Sequence, residues 1–235
     1  MGRIILGATV AALFLVGCST LTGVRGSGDV VSETREVSDF DGVDLSGEGH
    51  VTITIGDEFS LVISAEDNIM PLLTSEVSDG VLVLGTSESI SPTEEIDYEV
   101  TLPLVSLLEV SGSGRIDASG VVAEDLGLDV SGSGALQAED ISVTSLQAEV
   151  SGSGQVGVSG ETDHVQVSIS GSGALEGENL IARTGVVNVS GSGSVVVGVT
   201  DDLEVDVSGS GSVEYIGNPP SLDVDVSGSG DVSGR

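Results

Sequence analysis

Leu126-Gly127-Leu128-Asp129-Val130-Ser131-Gly132-Ser133-Gly134-Ala135-Leu136 is the stretch whose pattern decides the fold. Leu126, Leu128, Val130, Gly132, Gly134 and Leu136 form an apolar or glycine set at every second position, and the residues between them are small or polar. A period of two belongs to a strand with one buried face. The same register runs through Leu146, Ala148, Val150, Gly152, Gly154, Val156 and Val158, and again through Leu203, Val205, Val207, Gly209, Gly211, Val213 and Tyr215. Both glycines of each Ser-Gly-Ser-Gly therefore fall on inward positions and the serines on outward ones. A corner is expected there, because an inward side chain has little room where the chain bends between sheets and glycine accepts the dihedrals of the bend.

Ser-Gly-Ser-Gly starts at Ser111, Ser131, Ser151, Ser170, Ser190, Ser208 and Ser227, at steps of 20, 20, 19, 20, 18 and 19 residues. Such a short and regular beat is one structural unit repeated, hence a solenoid. Gly120, Gly160, Glu176-Gly177-Glu178-Asn179, the segment 198–202 and Gly217-Asn218-Pro219-Pro220 supply looser turns between the corners. One repeat then reads as strand, tight corner, strand, variable turn. At ~3.3 Å per residue a repeat traces about 66 Å, enough for one flattened coil. The expected fold is all-β, a single-stranded parallel β-helix with coils of about 20 residues, right-handed by the strong preference of parallel crossovers. A lone coil cannot repay its ordering entropy, since half of its hydrogen-bond partners and core belong to its neighbours. Its inward aliphatics, such as Leu126, Leu128, Val130, Leu136 and Ile141, are therefore read as core.

The earlier sequence reads as degenerate coils up to about residue 107, with regular coils over 108–235. Val43, Leu45, Gly47, Gly49, Val51, Ile53 and Ile55 keep the parity through Ser-Gly-Glu-Gly, and Val24, Gly26, Gly28 and Val30 keep it through Arg-Gly-Ser-Gly. Between Gly56 and Leu107 the motif is missing, although 61–65, 81–84 and 96–102 still read as strands and 67–74 as a short helix or irregular loop. The β-helix domain is thus expected over 28–235, without an internal linker.

The N-terminus reads differently. Arg3 precedes an apolar run over 4–16, and Leu15-Val16-Gly17-Cys18 fits a bacterial lipobox. The run is shorter than the roughly 20 residues of a spanning helix, which favours a cleaved signal over 1–17. Cys18, the one cysteine, is the expected lipidation site, followed by a tether over 18–27. Acyl chains on Cys18 would hold the protein stably on a membrane. Ser19 after the cysteine favours the outer membrane of a Gram-negative envelope. A lone cysteine also excludes a disulfide scaffold.

The chain carries 38 Asp plus Glu against six Arg and no Lys, for a net charge of −32. Such a surface repels nucleic acid and anionic head groups. Part of the charge is patterned: two residues before successive corners stand Glu109, Asp129, Glu149, Ser168, Asn188, Asp206 and Asp225. Stacking would put them in a column at ~4.8 Å spacing. Like charges that close repel by about 1 kcal/mol in water. Ca²⁺ held by Glu109, Asp129 and Glu149 would convert that repulsion into attraction, although a solvated acidic face needs no ion. The nine-residue repeat of calcium β-rolls is missing.

No catalytic or cofactor-binding residue emerges. His50 and His164 are far apart in sequence, and His164 beside Asp163 reads as a surface histidine. No serine sits in a Gly-x-Ser-x-Gly elbow, no lysine is present, and Arg115 and Arg183 read as isolated. An enzyme is therefore disfavoured.

The order of pieces Arg35-Glu36-Val37-Ser38-Asp39-Phe40-Asp41-Gly42-Val43, Val51-Thr52-Ile53-Thr54-Ile55-Gly56, Ala65-Glu66-Asp67-Asn68 and Val77-Ser78-Asp79-Gly80-Val81-Leu82, followed by Gly-Ser-Gly repeats, resembles the head GIN domain family of auto-transporter adhesins. The resemblance implies a fold similar to the pectin-lyase-like right-handed β-helices without their catalytic residues. It departs from an autotransporter in showing no ten-residue amphipathic barrel strands after the repeats. Three functions stay open: a lipoprotein binding an extracellular glycan or protein, a carbohydrate-active enzyme of the polysaccharide lyase or hydrolase type, and a periplasmic component that self-associates through the edge of its terminal coil. Phe40, Phe59, Tyr98 and Tyr215 form no repeating row on which sugars could stack.

Overall fold

A computed structural model describes residues 23–235. Cys18 and the signal expected over 1–17 lie outside the described residues. The fold is the expected stack of parallel coils, about six turns, 71% strand. The inward positions line up from coil to coil. Leu82, Val43, Leu108, Leu128, Ala148, Val167, Val187, Val205 and Val224 are successive ladder partners. All but the last are buried. Leu126, Leu128, Val130, Leu136 and Ile141 are buried as the alternation requires.

Each regular coil bends three times, and the breaks in parity say where. A straight strand alternates in and out, so two outward residues in succession mark a bend. Such breaks occur at Ser151-Gly152-Ser153, at Glu139-Asp140 and at Thr144-Ser145. The equivalent stretch of other coils, at Gly160 and over 198–202, was expected to be a loose turn. It is instead a third ladder: Val143 pairs with Thr162, Thr162 with Ala182, and Ala182 with Val199. Its bend positions carry unusual backbone, Asp140 at φ 54° and Gly160 at φ 124°.

The corner corrects the expectation that both glycines point inward. The second glycine, such as Gly154, is buried, and a Cβ there would run into Val130 Cγ1 of the coil beneath. The first, such as Gly152, is exposed at φ 117°, and a Cβ would sit 2.5 Å from Gly132 O. It is needed for a backbone conformation and a close approach along the stack rather than for lack of room in the core. The ladder continues through the corner, where Ser153 N donates to Gly132 O at 2.8 Å.

The first half departs most from expectation. Gly42–Leu45 and His50–Ile55 do form a coil, paired in parallel with Leu107–Val110 and Arg115–Ser119. The segment between leaves this coil, builds the layer on its other side, and returns. Val81–Thr86 pairs in parallel with Gly42–Leu45, and Asp97–Leu102 with His50–Ile55. That outermost layer is closed by antiparallel strands: Leu73–Ser78 on Val81–Thr86, Ser60–Glu66 on Asp97–Leu102, and Val30–Arg35 on Ser60–Glu66. Val30 therefore belongs to no degenerate coil. The hairpin closing Leu73–Ser78 on Val81–Thr86 turns at Asp79-Gly80, φ 52° and 83°, the two positive angles of a type I′ turn. Antiparallel capping covers an edge that would otherwise stay unpaired. The 67–74 stretch contains a 3₁₀ turn, Met70–Leu72.

Glu66 pins the cap. It is 1% exposed and accepts bonds from Gly28 N at 2.6 Å, Thr93 N at 2.9 Å and the Thr93 hydroxyl at 2.6 Å. The Thr93 hydroxyl, helped by the backbone donors, holds its carboxyl below the ordinary range against the opposing effect of burial. Residues 23–27, expected in the tether, run along the domain, with Val24–Arg25 paired to Ile90–Ser91 and Ser27 donating to Asp67 at 2.6 Å.

Candidate functional site

Two outward arrangements follow from the coil register, one on each side of the glycine corner. Before the corner, Asp44, Glu109, Asp129, Glu149, Ser168, Asn188, Asp206 and Asp225 are successive ladder partners. The expected column exists and begins one coil earlier than expected. Asp44 stands two residues before Ser46-Gly47-Glu48-Gly49, so the degenerate corner could have revealed it.

The middle of the column is electrostatically strained. Burial raises the Asp129 carboxyl to about 6, and the charges of Glu149 and Glu109 add to the rise. Asp44 is raised chiefly by burial, with Glu109 adding to it and a hydrogen bond from Ser46 (2.9 Å) opposing it. Glu109 accepts from the Ser111 hydroxyl at 3.0 Å and Glu149 from Gln147 at 2.8 Å. One carboxylate oxygen of Asp44 and one of Asp129 are buried without a hydrogen-bond partner. Asp129 in this state takes up a proton near pH 6, and the charges stacked beside it favour a cation.

After the corner, the register stacks Asp97, His50 and Arg115. Arg115, read from sequence as isolated, binds Asp117 through Nε at 2.9 Å and through a terminal nitrogen at 2.8 Å. Asp117 lies 2.9 Å from His50 Nε2, and His50 Nδ1 lies 3.8 Å from Asp97 Oδ1. Burial alone would raise the Asp117 carboxyl, but the bonds from Arg115 and His50 outweigh it and hold it below the ordinary range. Asp117 is thus a carboxylate that can only accept, and the proton of this contact sits on His50 Nε2. His50 is the residue following Ser-Gly-Glu-Gly just as Arg115 follows Ser-Gly-Ser-Gly, which is the signal that would have placed one over the other. His164, by contrast, bonds only Thr184 Oγ1 through its ring, at 2.9 Å.

Among the described residues, His50, Glu95 and Asp97 bring ligand atoms within 4.8 Å of one another, whereas Glu109, Asp129 and Glu149 form no such group. Beside Asp117, an open groove is lined by Thr52, Arg115, Gln137 and Glu139. Arg183 lies 3.5 Å from both Asp163 and Asp201 on the third ladder, so it is not isolated either. Among the described residues no helix is long and apolar enough to cross a membrane.

Residues 39–219 match a family described as "Putative auto-transporter adhesin, head GIN domain". Solved structures share the fold. A "putative adhesin" of Bacteroides fragilis superimposes with a TM-score of 0.83 at 21% identity, covering 91% of this chain and 100% of that one. A "putative lipid binding protein" of Parabacteroides distasonis gives 0.73 at 21% identity, with 91% and 100% covered. A "putative adhesin" of Parabacteroides merdae gives 0.73 at 18% identity, with 91% and 99% covered. At these identities the likeness concerns the fold. No curated protein matches the chain.

Proposed function

Because the chain belongs to the head GIN domain family of auto-transporter adhesins, matched over residues 39–219, we propose that it is a non-catalytic binding protein of the bacterial envelope, lipidated at Cys18 and anchored in the outer membrane. The observation that carries the reading is the unbroken register of outward side chains over the stacked coils, exemplified by the column from Asp44 to Asp225. A rigid solenoid presents outward polar side chains at ~4.8 Å intervals and suits a polymeric or extended partner, a glycan or a protein. Recognition would be polar. Phe40 and Tyr98 are buried, and Phe40 packs on Phe59 with ring centroids 5.0 Å apart, so these aromatics serve the cap.

Protease shaving of intact cells, read out by detection of this protein, tests the display that adhesion requires. Loss of the protein on shaving, together with its release from membranes in Cys18→Ala, is the expected result. Retention on shaving would leave a periplasmic role, with self-association at the terminal coil edge as its form. Turnover of a polysaccharide that is abolished in Asp129→Asn would replace the binding reading with the carbohydrate-active one.

A further inference from the structure

We propose that His50, Glu95 and Asp97 form a binding site for a first-row divalent metal ion of the Zn²⁺ class. Their ligand atoms all lie within 4.8 Å of one another. Two ligands on a tetrahedral ion at about 2.0–2.1 Å stand roughly 3.3 Å apart. The 3.8 Å between His50 Nδ1 and Asp97 Oδ1 is therefore close to what the ion needs. Asp97 and Glu95 are exposed, and their side chains can close the remaining distance without disturbing the ladder.

The second observation is the support behind the histidine. Metal-bound imidazoles characteristically donate their remote N–H to a carboxylate, which sets the tautomer and aims the other nitrogen's lone pair at the ion. Here Asp117 Oδ2 accepts from His50 Nε2 and from Arg115 Nε, each at 2.9 Å, while a terminal nitrogen of Arg115 pairs in charge with the other oxygen at 2.8 Å. With Nε2 directed at Asp117, His50 turns Nδ1 toward Asp97.

The backbone makes the site rigid. His50 and Asp97 are direct ladder partners on adjacent strands, so their separation is set by the sheet. Glu95 enters from the segment before Asp97–Leu102 and lines an open cleft together with Glu48, Thr93 and Glu94. One imidazole and two carboxylates favour Zn²⁺ or its neighbours over Ca²⁺, which takes six to eight oxygens.

The test is calorimetric titration of Zn²⁺ into the chelator-treated full chain in detergent, with x-ray absorption at the zinc edge. One saturable site in the micromolar range or tighter, with a single imidazole nitrogen in the coordination shell, is expected. His50→Gln should abolish it, and Asp97→Asn should weaken it at least tenfold. Asp117→Asn should weaken it about 10- to 100-fold through the lost support, while Asp163→Asn, in the third ladder, leaves it unchanged. Circular dichroism and melting of each variant separate lost binding from lost folding, and Ca²⁺ at equal concentration should not compete. Weak multi-site binding shared by wild type and His50→Gln would mark adventitious attraction to an acidic surface and overturn the proposal. So would a zinc shell containing only oxygen. Neither outcome bears on surface display or on Cys18.

Discussion

Replacing Asp129 by Asn removes the central charge of the acidic column, and the column's geometry sets the size and sign of the effect. Asp129 lies between Glu109 and Glu149 in direct register and keeps one buried oxygen without a partner. Its carboxyl is raised from 3.8 to about 6 by burial first and by the two neighbouring charges second. Undiminished, a rise of that size corresponds to about 3 kcal/mol. Asp129 is partly exposed, so water and counter-ions reduce the figure to on the order of 1 kcal/mol. An acid with a raised folded value binds its proton more tightly in the folded state than in the unfolded chain. Its penalty is thus absent below pH 4 and grows as the pH climbs from 4 to 6, remaining in full above that. Asp129→Asn should accordingly be more stable than wild type by on the order of 1 kcal/mol at pH 7.5, with the difference vanishing toward pH 4. Urea unfolding followed by far-ultraviolet circular dichroism at a series of pH values measures it. The reasoning fails if the variant is less stable at pH 7.5, or if the difference is the same at pH 4 and pH 7.5.

Gly152→Ala should cost about 2–4 kcal/mol in urea unfolding, from the strained backbone and the clash with Gly132 O, whereas Ser153→Ala on the exposed corner should stay within about 0.5 kcal/mol; equal effects would remove the corner argument. Deleting residues 135–154, one full coil, should leave a folded protein because Arg115–Ser119 then meets an equivalent strand in phase, whereas deleting 135–144 should abolish cooperative melting. Calcium at millimolar concentration should raise the melting midpoint of wild type more than that of Asp129→Asn if it bridges Glu109, Asp129 and Glu149. Identical shifts would leave that column a plain solvated face.

What could be read directly was whatever repeats. The period of two placed Leu128, Val150 and Val205 in the core, and the spacing of Ser-Gly-Ser-Gly announced parallel coils and the in-register column from Glu109 to Asp225. These are local features multiplied by stacking, so one correct coil predicts its neighbours. His50 above Arg115 was legible in the same way, through the degenerate corner before it, but His50 and Asp117 come together only because coils 67 residues apart in their side-chain contact are adjacent in the stack.

Coil length, strand parity and the acidic column were determined by sequence alone, because each is a consequence of alternation along an extended chain. The tertiary structure decided three things: that 81–102 lies outside the earlier 42–55 coil, that antiparallel strands cap it, and that the first glycine of a corner such as that at Gly152 faces outward. The physical reason is that pairing after a long excursion is chosen by which edge lies open, and a corner's φ by the carbonyl stacked beneath it. Neither leaves a periodic trace in the order of residues.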